Sequence, residues 1–388
     1  MATSTHELGA QLMEVVRRYA ALGDHRTGDA ADAPTAAWLA EEIRARGGEP
    51  TLVPYDLDRY VASWAVRVDG VEVASLPLFY EGVGAVRTSR PAVGIGVPRS
   101  AGGERQDLDG LDAVLTTARA DGRPAAVVAT AGPTGGLVAI NREPVAGSGI
   151  PTLLVPGRLG DALALSDREV AVDVEIEARV EPGRSTSVVG HFGPSGGEPV
   201  VVATPLSGWF RCAGERGTGI AAALHLATRL AEHHPVVLLA STGHELAHLG
   251  AHALAPHAPS QARAIVHVGA SVAAAAEPVT DPATARLSPT RFARAHAGPH
   301  RDAVIDRIAA ALAPAGLTPT VPTDPTDPEG WIGEARRWAH RDEPMLSVAG
   351  GFFAFHTPDD LPEVSTTPTL LATVAVALEH AVGALVDR

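Results

Sequence analysis

The N-terminal part of the chain carries apolar residues at helical spacing. Leu8, Leu12 and Val15 recur every three or four positions, which predicts a helix from Thr5 to Leu22. A second segment, Thr35 to Arg46, ends at a pair of glycines and predicts another helix. Short strands and a hairpin with an Asp-Gly turn are expected next.

The pattern changes over residues 76–183, where brief apolar runs alternate with glycines and prolines. The runs AVGIGV, AAVVAT, GLVAI, IPTLLV and VAVDVEIEARV predict short strands. We therefore expect an inserted, mostly β domain over 76–183. The rest of the chain, 1–75 plus 184–388, would form one discontinuous domain.

Beyond the insertion, strands and helices alternate. Strands are predicted at 200–204, 236–241 and 264–271, with helices at 217–233 and 244–254 between them. This βαβ order predicts an α/β fold with a mostly parallel mixed sheet, flanked by helices on both faces, and a site at the carboxyl ends of its strands.

The last part of the chain contains two segments rich in Pro, Thr and Asp, 277–300 and 314–330. We expect both to form surface loops around the mouth of the site. A strand in MLSVAGG, a loop containing FHTPDD and a final helix over 368–386 complete the predicted order.

Composition excludes several kinds of chemistry. The formal net charge is −14, which disfavours binding to nucleic acid or to an anionic membrane surface. All 31 basic residues are Arg, so Schiff-base and P-loop lysine chemistry are excluded. With one Cys and no apolar leader-like segment at the N-terminus, we expect a cytoplasmic protein without membrane spans.

Ionisable residues follow the predicted strands or lie within them near their carboxyl ends. Because such ends converge at one edge of a parallel sheet, these residues form one candidate site. They are Glu215, His244, Glu245, His267 and His356.

The segment His244-Glu245-Leu246-Ala247-His248 matches H-E-x-x-H. In metalloproteases with this motif, both histidines lie on one face of a helix and bind zinc. Here the motif begins only two residues after a buried strand, so we expect His244 and Glu245 in a turn or in the first helical residues. We interpret His248 as a partly exposed helix residue.

Most of the chain resembles the M28 family of zinc aminopeptidases and carboxypeptidases, in particular members with a protease-associated (PA) domain insertion. The motifs that carry the resemblance are RTGDAADAPTAAWLAEEIRARGGEP, GIPTLLVPG, TSVVGHF, CAGERGTGIAAALHLATRLA, VVLLASTGHELAHLGAHAL and FHTPDDLPEVS. The resemblance implies the M28 fold, a hydrolase activity and a zinc site.

The metal positions depart from the family pattern. Pro205 and Ser207 stand where a His and an Asp are expected, His244 replaces the general-base Glu, and His267 replaces a later Asp. The resemblance leaves one possible ligand set for a single zinc ion, consisting of Glu215, Glu245 and His356. Ordinary two-zinc aminopeptidase activity is therefore not expected.

Three functions remain open from the sequence. The first is an enzyme that cleaves an amide or other C–N bond in a small amino-acid-like or peptide-like substrate, with at most one zinc ion and His244 moving the proton. The second is a metal-free cyclase, lyase or hydrolase of a specialised metabolite that uses His244, His267, Glu215 and Glu245. The third is a catalytically inactive peptide-binding protein.

Substrate-binding candidates lie in the segment after the 200–204 strand. Arg211 and Arg216 could grip a substrate carboxylate, although one of them is expected to pair with a nearby Glu, and Trp209 could form a pocket wall. Cys212 is interpreted as a buried small residue. We expect a small molecule or short peptide as partner; the sequence does not predict the oligomeric state.

Overall fold

The computed structural model describes residues 4–98, 108–141, 149–160, 163, 170–298, 301–341 and 343–387. The chain divides into two compact units. The first contains residues 1–55, 185–355 and 360–388, and the second contains 56–184 and 356–359. The sequence had suggested domain boundaries at 76 and 183.

Helices and strands of the first unit follow one another in α/β order. They are α1 (Thr5–Ala21), α2 (Asp32–Ala45), the first part of β1 (Glu49–Val68), the last part of β9 (Val172–Phe192), β10 (Val200–Pro205), α4 (Thr218–Leu230), β11 (Val236–Ser241), α5 (Leu249–Leu254), β12 (Ala264–Val268), β13 (Phe292–His296), α6 (Asp302–Leu312), β14 (Pro319–Thr320), β15 (Met345–Ala349), α7 (Pro362–Ser365) and α8 (Pro368–Val386).

A large central sheet runs through this unit in the order β14-β13-β15-β12-β10-β11-β9. Strands β10, β11, β12 and β15 are parallel, and β9 and β13 pair antiparallel on either side of them. The carboxyl ends of the four parallel strands therefore lie at one edge of the sheet. This architecture confirms the predicted α/β fold class.

Alternate residues of the central strands enter two separate cores. Val200 and Val202 belong to the core under the helices α1, α4, α6 and α8, whereas Val201 and Ala203 face a smaller core that contains Trp331 and Trp338. Both faces are covered, which explains why these strands read as continuous apolar runs.

Helix α8 begins and ends where the sequence predicted. Thr367 caps it by accepting a hydrogen bond from the N–H of Leu370, and Pro368 occupies the first turn. Among the described helices it is the one long and apolar enough to cross a membrane, yet 61% of its apolar window is buried. It therefore behaves as a core helix of the first unit.

The second unit contains a separate sheet in the order β3-β8-β7-β5-β6. The helices and strands of the second unit are β2 (Val71–Val73), β3 (Leu76–Pro77), β4 (Gly84–Thr88), β5 (Ala92–Pro98), β6 (Leu108–Asp109), α3 (Leu111–Ala120), β7 (Ala126–Thr130) and β8 (Thr152–Pro156), with the remaining parts of β1 and β9. The unit is mostly β, but α3 was not predicted. The run GLVAI, expected as a strand, is not one.

Two further predictions were wrong in the first unit. The segment 277–300, expected as a surface loop, contains β13, which pairs with β14 and β15 inside the sheet. Pro- and Thr-rich flanks hide this short strand in the sequence. The helix expected from 244 begins at Leu249, because Ala247 (φ 52°) and His248 (φ 61°) adopt left-handed backbone conformations that interrupt a helix.

Candidate functional site

Three imidazoles surround one carboxylate beside the carboxyl ends of the parallel strands. We call His244, His248, His267 and Glu334 the imidazole cluster. His244 Nδ1 lies 2.8 Å from Glu334 Oε1, and His267 Nε2 lies 3.5 Å from Glu334 Oε2. The ring centroids of His244 and His248 are 5.0 Å apart. Both carboxylate oxygens of Glu334 thus face an imidazole.

Glu334 is held in place by a short 3₁₀ helix, Gly333–Arg337. The segment is packed into the smaller core through Trp331, which is fully buried, and Trp338. Gly333 has a φ of 58°, and a Cβ at this position would lie 3.5 Å from His267 Cε1. A glycine here allows the left-handed turn, whereas a Cβ would make only ordinary van der Waals contact with the His267 ring.

His267 is fixed by the register of the sheet. It lies on β12, directly opposite Ser347 of β15, and its Nδ1 is 2.9 Å from the Ser347 hydroxyl oxygen. With the Nε2–H directed at the carboxylate of Glu334, Nδ1 accepts the hydrogen bond from Ser347. The buried ring of His267 therefore connects Glu334 to the sheet.

The electrostatics of the imidazole cluster favour an ionised Glu334. Burial alone would raise the pKa of Glu334, but the electrostatic influence of the His244 and His248 imidazoles and hydrogen bonds from His244 and His267 lower it well below its usual value. Burial lowers the pKa of His248 to about 4, although the carboxylate of Glu334 opposes that shift. At neutral pH, His248 is therefore a neutral imidazole beside a carboxylate.

Exposure distinguishes the members that can meet a substrate. The side chain of His244 is 17% exposed, whereas those of Glu334 and His267 are 4% and 1% exposed. Of the three residues in the contacts His244–Glu334–His267, His244 is therefore the one that a substrate can reach. Glu334 and His267 are buried beneath it.

The carboxylate of Glu245 is bonded elsewhere. The backbone N–H of Thr27 donates to Glu245 Oε1 at 2.5 Å, and the hydroxyl of Ser207 donates to Glu245 Oε2 at 2.9 Å. The side chain is buried. The Glu of the H-E-x-x-H segment therefore points away from the two histidines that flank it.

Glu215 is paired with a buried arginine. Arg216 Nη2 lies 2.9 Å from Glu215 Oε1, and both side chains are completely buried. Arg216 Nε also donates to the carbonyl of Ser207 at 2.8 Å. Of the two arginines considered for substrate binding, Arg216 is thus the one held by a neighbouring Glu.

Both residues lie in a π-helical turn, Ala213–Gly217. The carboxylate of Asp360 accepts the backbone N–H groups of Gly214 at 2.6 Å and Glu215 at 3.0 Å. Burial raises the pKa of Asp360 to about 7. This carboxyl group supports the turn from a neighbouring loop.

The remaining predicted site residues have varied surroundings. Trp209 is buried and Arg211 is exposed. Burial raises the pKa of the Cys212 thiol well above its usual value, which disfavours a nucleophilic thiolate. His356 is grouped with the second unit, where its Nδ1 lies 3.0 Å from the carbonyl oxygen of Ala139.

Sequence reasoning missed Glu334 and placed His248 outside the site. The two histidines of the H-E-x-x-H segment do converge, but across a turn instead of along a helix. A signal for Glu334 was present, because it is the only acidic residue between Trp331 and Trp338. Two tryptophans that close together, in a chain with five, indicate a segment packed into the core.

The overall structure is similar to those of M28-type aminopeptidases. A peptidase M28 precursor from Shewanella amazonensis superposes with a TM-score of 0.69 at 14% identity, over 98% of this chain and 96% of that chain. The zinc aminopeptidase BSAP from Bacillus subtilis gives 0.67 at 14% identity, over 96% and 94%. An aminopeptidase from Aneurinibacillus sp. strain AM-1 gives 0.60 at 12% identity, over 98% and 96%.

No family model matches the sequence, and no curated protein matches it either. At identities this low the structural likeness establishes the fold. The chemistry has to be argued from the side chains of this chain.

Among the described side chains, the imidazole cluster fits a metal ion better than the predicted ligands Glu215 and Glu245 do. The donor atoms of His244, His248 and Glu334 all lie within 4.8 Å of one another, and two imidazoles with a carboxylate suit zinc. Glu215 and Glu245 fit a metal poorly, because one pairs with a guanidinium and the other accepts two hydrogen bonds.

Proposed function

We propose that this protein is a hydrolase that cleaves an amide or other C–N bond in a small amino-acid-like or peptide-like substrate. The observation that carries the proposal is the 2.8 Å contact between His244 Nδ1 and Glu334 Oε1 at the carboxyl ends of the parallel strands. An imidazole oriented by a buried carboxylate is a general acid/base arrangement. The M28-like fold supports peptidase-like hydrolysis.

In the proposed mechanism, Glu334 accepts the Nδ1–H of His244 and leaves Nε2 as the proton acceptor. Water attacks the substrate carbonyl carbon while Nε2 takes a proton from it, so that a C–O bond forms and the carbonyl oxygen becomes negatively charged. The tetrahedral adduct then collapses. The C–N bond breaks as the imidazolium returns its proton to the leaving nitrogen.

His267 and Ser347 support the His244–Glu334 pair from the buried side of the carboxylate. The Ser347 hydroxyl contacts Nδ1 of His267, and the Nε2 side of this ring faces the second oxygen of Glu334. The carboxylate is thereby kept ionised and oriented when His244 becomes positively charged. For the substrate, we assign Arg211 as the group that binds a carboxylate, since it is exposed, and Trp209 as part of the pocket wall.

A second candidate uses the same residues around one zinc ion. The observation that favours it is the mutual proximity of the donor atoms of His244, His248 and Glu334. A zinc ion bound there would supply a Lewis acid that polarises the substrate carbonyl. In that case His244 is a ligand, and the low pKa of His248 keeps its imidazole neutral for coordination.

The test is a turnover screen of aminoacyl amides, N-acyl amino acids and short peptides with the wild-type protein. His244→Ala is the inactive control, and the screen is repeated after treatment with a chelator. Turnover that is lost in the variant but kept in chelator supports the acid/base pair. Turnover that chelator removes and zinc restores supports the zinc candidate, and turnover unaffected by the substitution contradicts both.

We further propose that the second unit is a PA-like inserted module. Its position in the chain between residues 55 and 185, and its own sheet with parallel β5, β7 and β8, support this assignment. The proposed partner remains a small molecule or a short peptide, and no nucleic acid is expected.

A further inference from the structure

Glu245 lies where three segments of the first unit meet. Its carboxylate accepts hydrogen bonds from Thr27, in the loop before α2, and from Ser207, in the loop after β10, while Glu245 itself follows β11. We call Glu245, Thr27 and Ser207 the Glu245 tether. All three residues are buried.

The tether also holds the backbone of the segment that carries His244. Thr27 Oγ1 accepts the N–H of Gly243 at 2.8 Å, and Ser207 Oγ accepts the N–H of His244 at 3.3 Å. Thr27 and Ser207 thus each make one bond to the carboxylate and one to the backbone beside His244. The result is a closed network around the two peptide groups that set the direction of this side chain.

We propose that Glu245 is a positioning residue, which acts through the Glu245 tether to keep His244 Nδ1 on Glu334. The inference deepens the proposed function and rests on it for the role of His244. It assigns to Glu245 a role different from that of a metal ligand. Ser207, at a position where the M28 resemblance places an Asp, is thus part of the tether in this chain.

Substitutions at residue 245 separate these roles. In Glu245→Gln the amide oxygen can still accept from the Thr27 N–H, and the amide nitrogen can donate to Ser207. In Glu245→Ala both bonds are lost and two buried donors have no acceptor. A positioning residue is therefore rescued by Gln, whereas a metal ligand is not.

The first readout needs no substrate. In protein labelled with ¹⁵N-histidine, with His244→Ala to assign the resonance, we expect an Nδ1–H tautomer signal for His244 in the wild type and in Glu245→Gln. We expect this signal to be lost or exchange-broadened in Glu245→Ala. Glu42→Ala is a matched control, because Glu42 is a buried carboxylate that pairs with Arg18 and Arg46 on the N-terminal helices.

The second readout is the kinetic split on a substrate from the turnover screen. We expect Glu245→Ala to lower kcat by about 10²-fold with KM changed by less than about threefold, and Glu245→Gln to stay within about threefold of the wild type. If Glu245→Ala does not fold, Ser207→Ala removes the bond to Oε2 and the acceptor of the His244 N–H and serves in its place.

Two results would overturn the inference. One is an unchanged His244 signal in folded Glu245→Ala and Ser207→Ala. The other is a Glu245→Gln protein that loses a metal ion bound by the wild type. The His244 signal could instead be present in the wild type and Glu245→Gln and lost in Glu245→Ala, while no substrate is turned over. That result would count against the proposed function and leave the tether supported.

Discussion

The imidazole cluster and the Glu245 tether lie at the same edge of one sheet, and each is built around a buried carboxylate. Glu334 and Glu245 are similarly inaccessible to solvent. Their partners differ. Glu334 contacts His244 and His267, whereas Glu245 accepts hydrogen bonds from a backbone N–H and a hydroxyl.

This difference separates carboxylates available for chemistry from carboxylates used for structure. An imidazole gains and loses protons near neutral pH, so its contact with Glu334 can change during a reaction. A peptide N–H and a serine hydroxyl do not titrate there, so the contacts of Glu245 stay constant. Glu215 belongs with Glu245, since its partner Arg216 is permanently charged.

The largest effect is expected from removing His244, the partly exposed imidazole that contacts Glu334. His244→Ala should lower kcat/KM by about 10²- to 10⁴-fold, because the proton acceptor is lost while the buried core is not disturbed. Steady-state kinetics measure the loss, and circular dichroism checks the fold. Turnover that survives within a fewfold would remove the cluster from the mechanism.

A large loss of stability is expected from breaking the buried ion pair between Glu215 and Arg216. Arg216→Met should destabilise the protein by about 3–5 kcal/mol, because it leaves Glu215 as a buried charge without its guanidinium. Urea unfolding measures the change. The double variant Arg216→Met with Glu215→Gln should recover part of it, and a double variant as unstable as the single one would argue against the pairing.

Asp360, which supports the turn carrying Glu215, predicts a pH dependence of stability. Its pKa is raised to about 7 by burial, so the native state holds a proton that the unfolded state releases near pH 4. Stability should therefore fall as the pH rises from about 4 to about 7, by up to about 1.4 kcal/mol per pH unit. Urea unfolding across this range should show a smaller fall in Asp360→Asn; equal slopes would contradict the assignment.

The smallest effect concerns the turn that presents Glu334. Gly333→Ala should cost about 1–2 kcal/mol, because alanine is strained at a φ of 58°. Gly383→Ala is the control, since it lies within α8 and a Cβ there meets nothing within 4 Å. Thermal unfolding should show a lower Tm for the first variant and an equal or higher Tm for the second.

The fold could be predicted from the sequence where hydrophobic patterns are long. The strand at 236–241 and the helix at 368–386 have the predicted bounds, because a buried parallel strand and a core helix each leave a continuous apolar signature. Strand β13 lacked one, since its burial depends on pairing with β14 and β15. Such pairing is a tertiary contact that local patterns do not encode.

The site was predictable only in part. His244 and His267 were expected to lie close together because they belong to the ends of successive strands of one sheet, and the structure brings both to one carboxylate. That carboxylate is Glu334, which reaches the site through a 3₁₀ segment anchored by two tryptophans. Spacing along the chain could not indicate this, nor the left-handed turn that brings His248 beside His244.

The most direct test of the account compares two substitutions that each replace a buried carboxylate by its isosteric amide. We would measure kcat/KM of Glu334→Gln and Glu245→Gln on the same amide substrate. The account predicts a loss of about 10²-fold for Glu334→Gln and less than about threefold for Glu245→Gln. The opposite order, or equal losses, would contradict the claim that the imidazole cluster carries the chemistry and the Glu245 tether positions it.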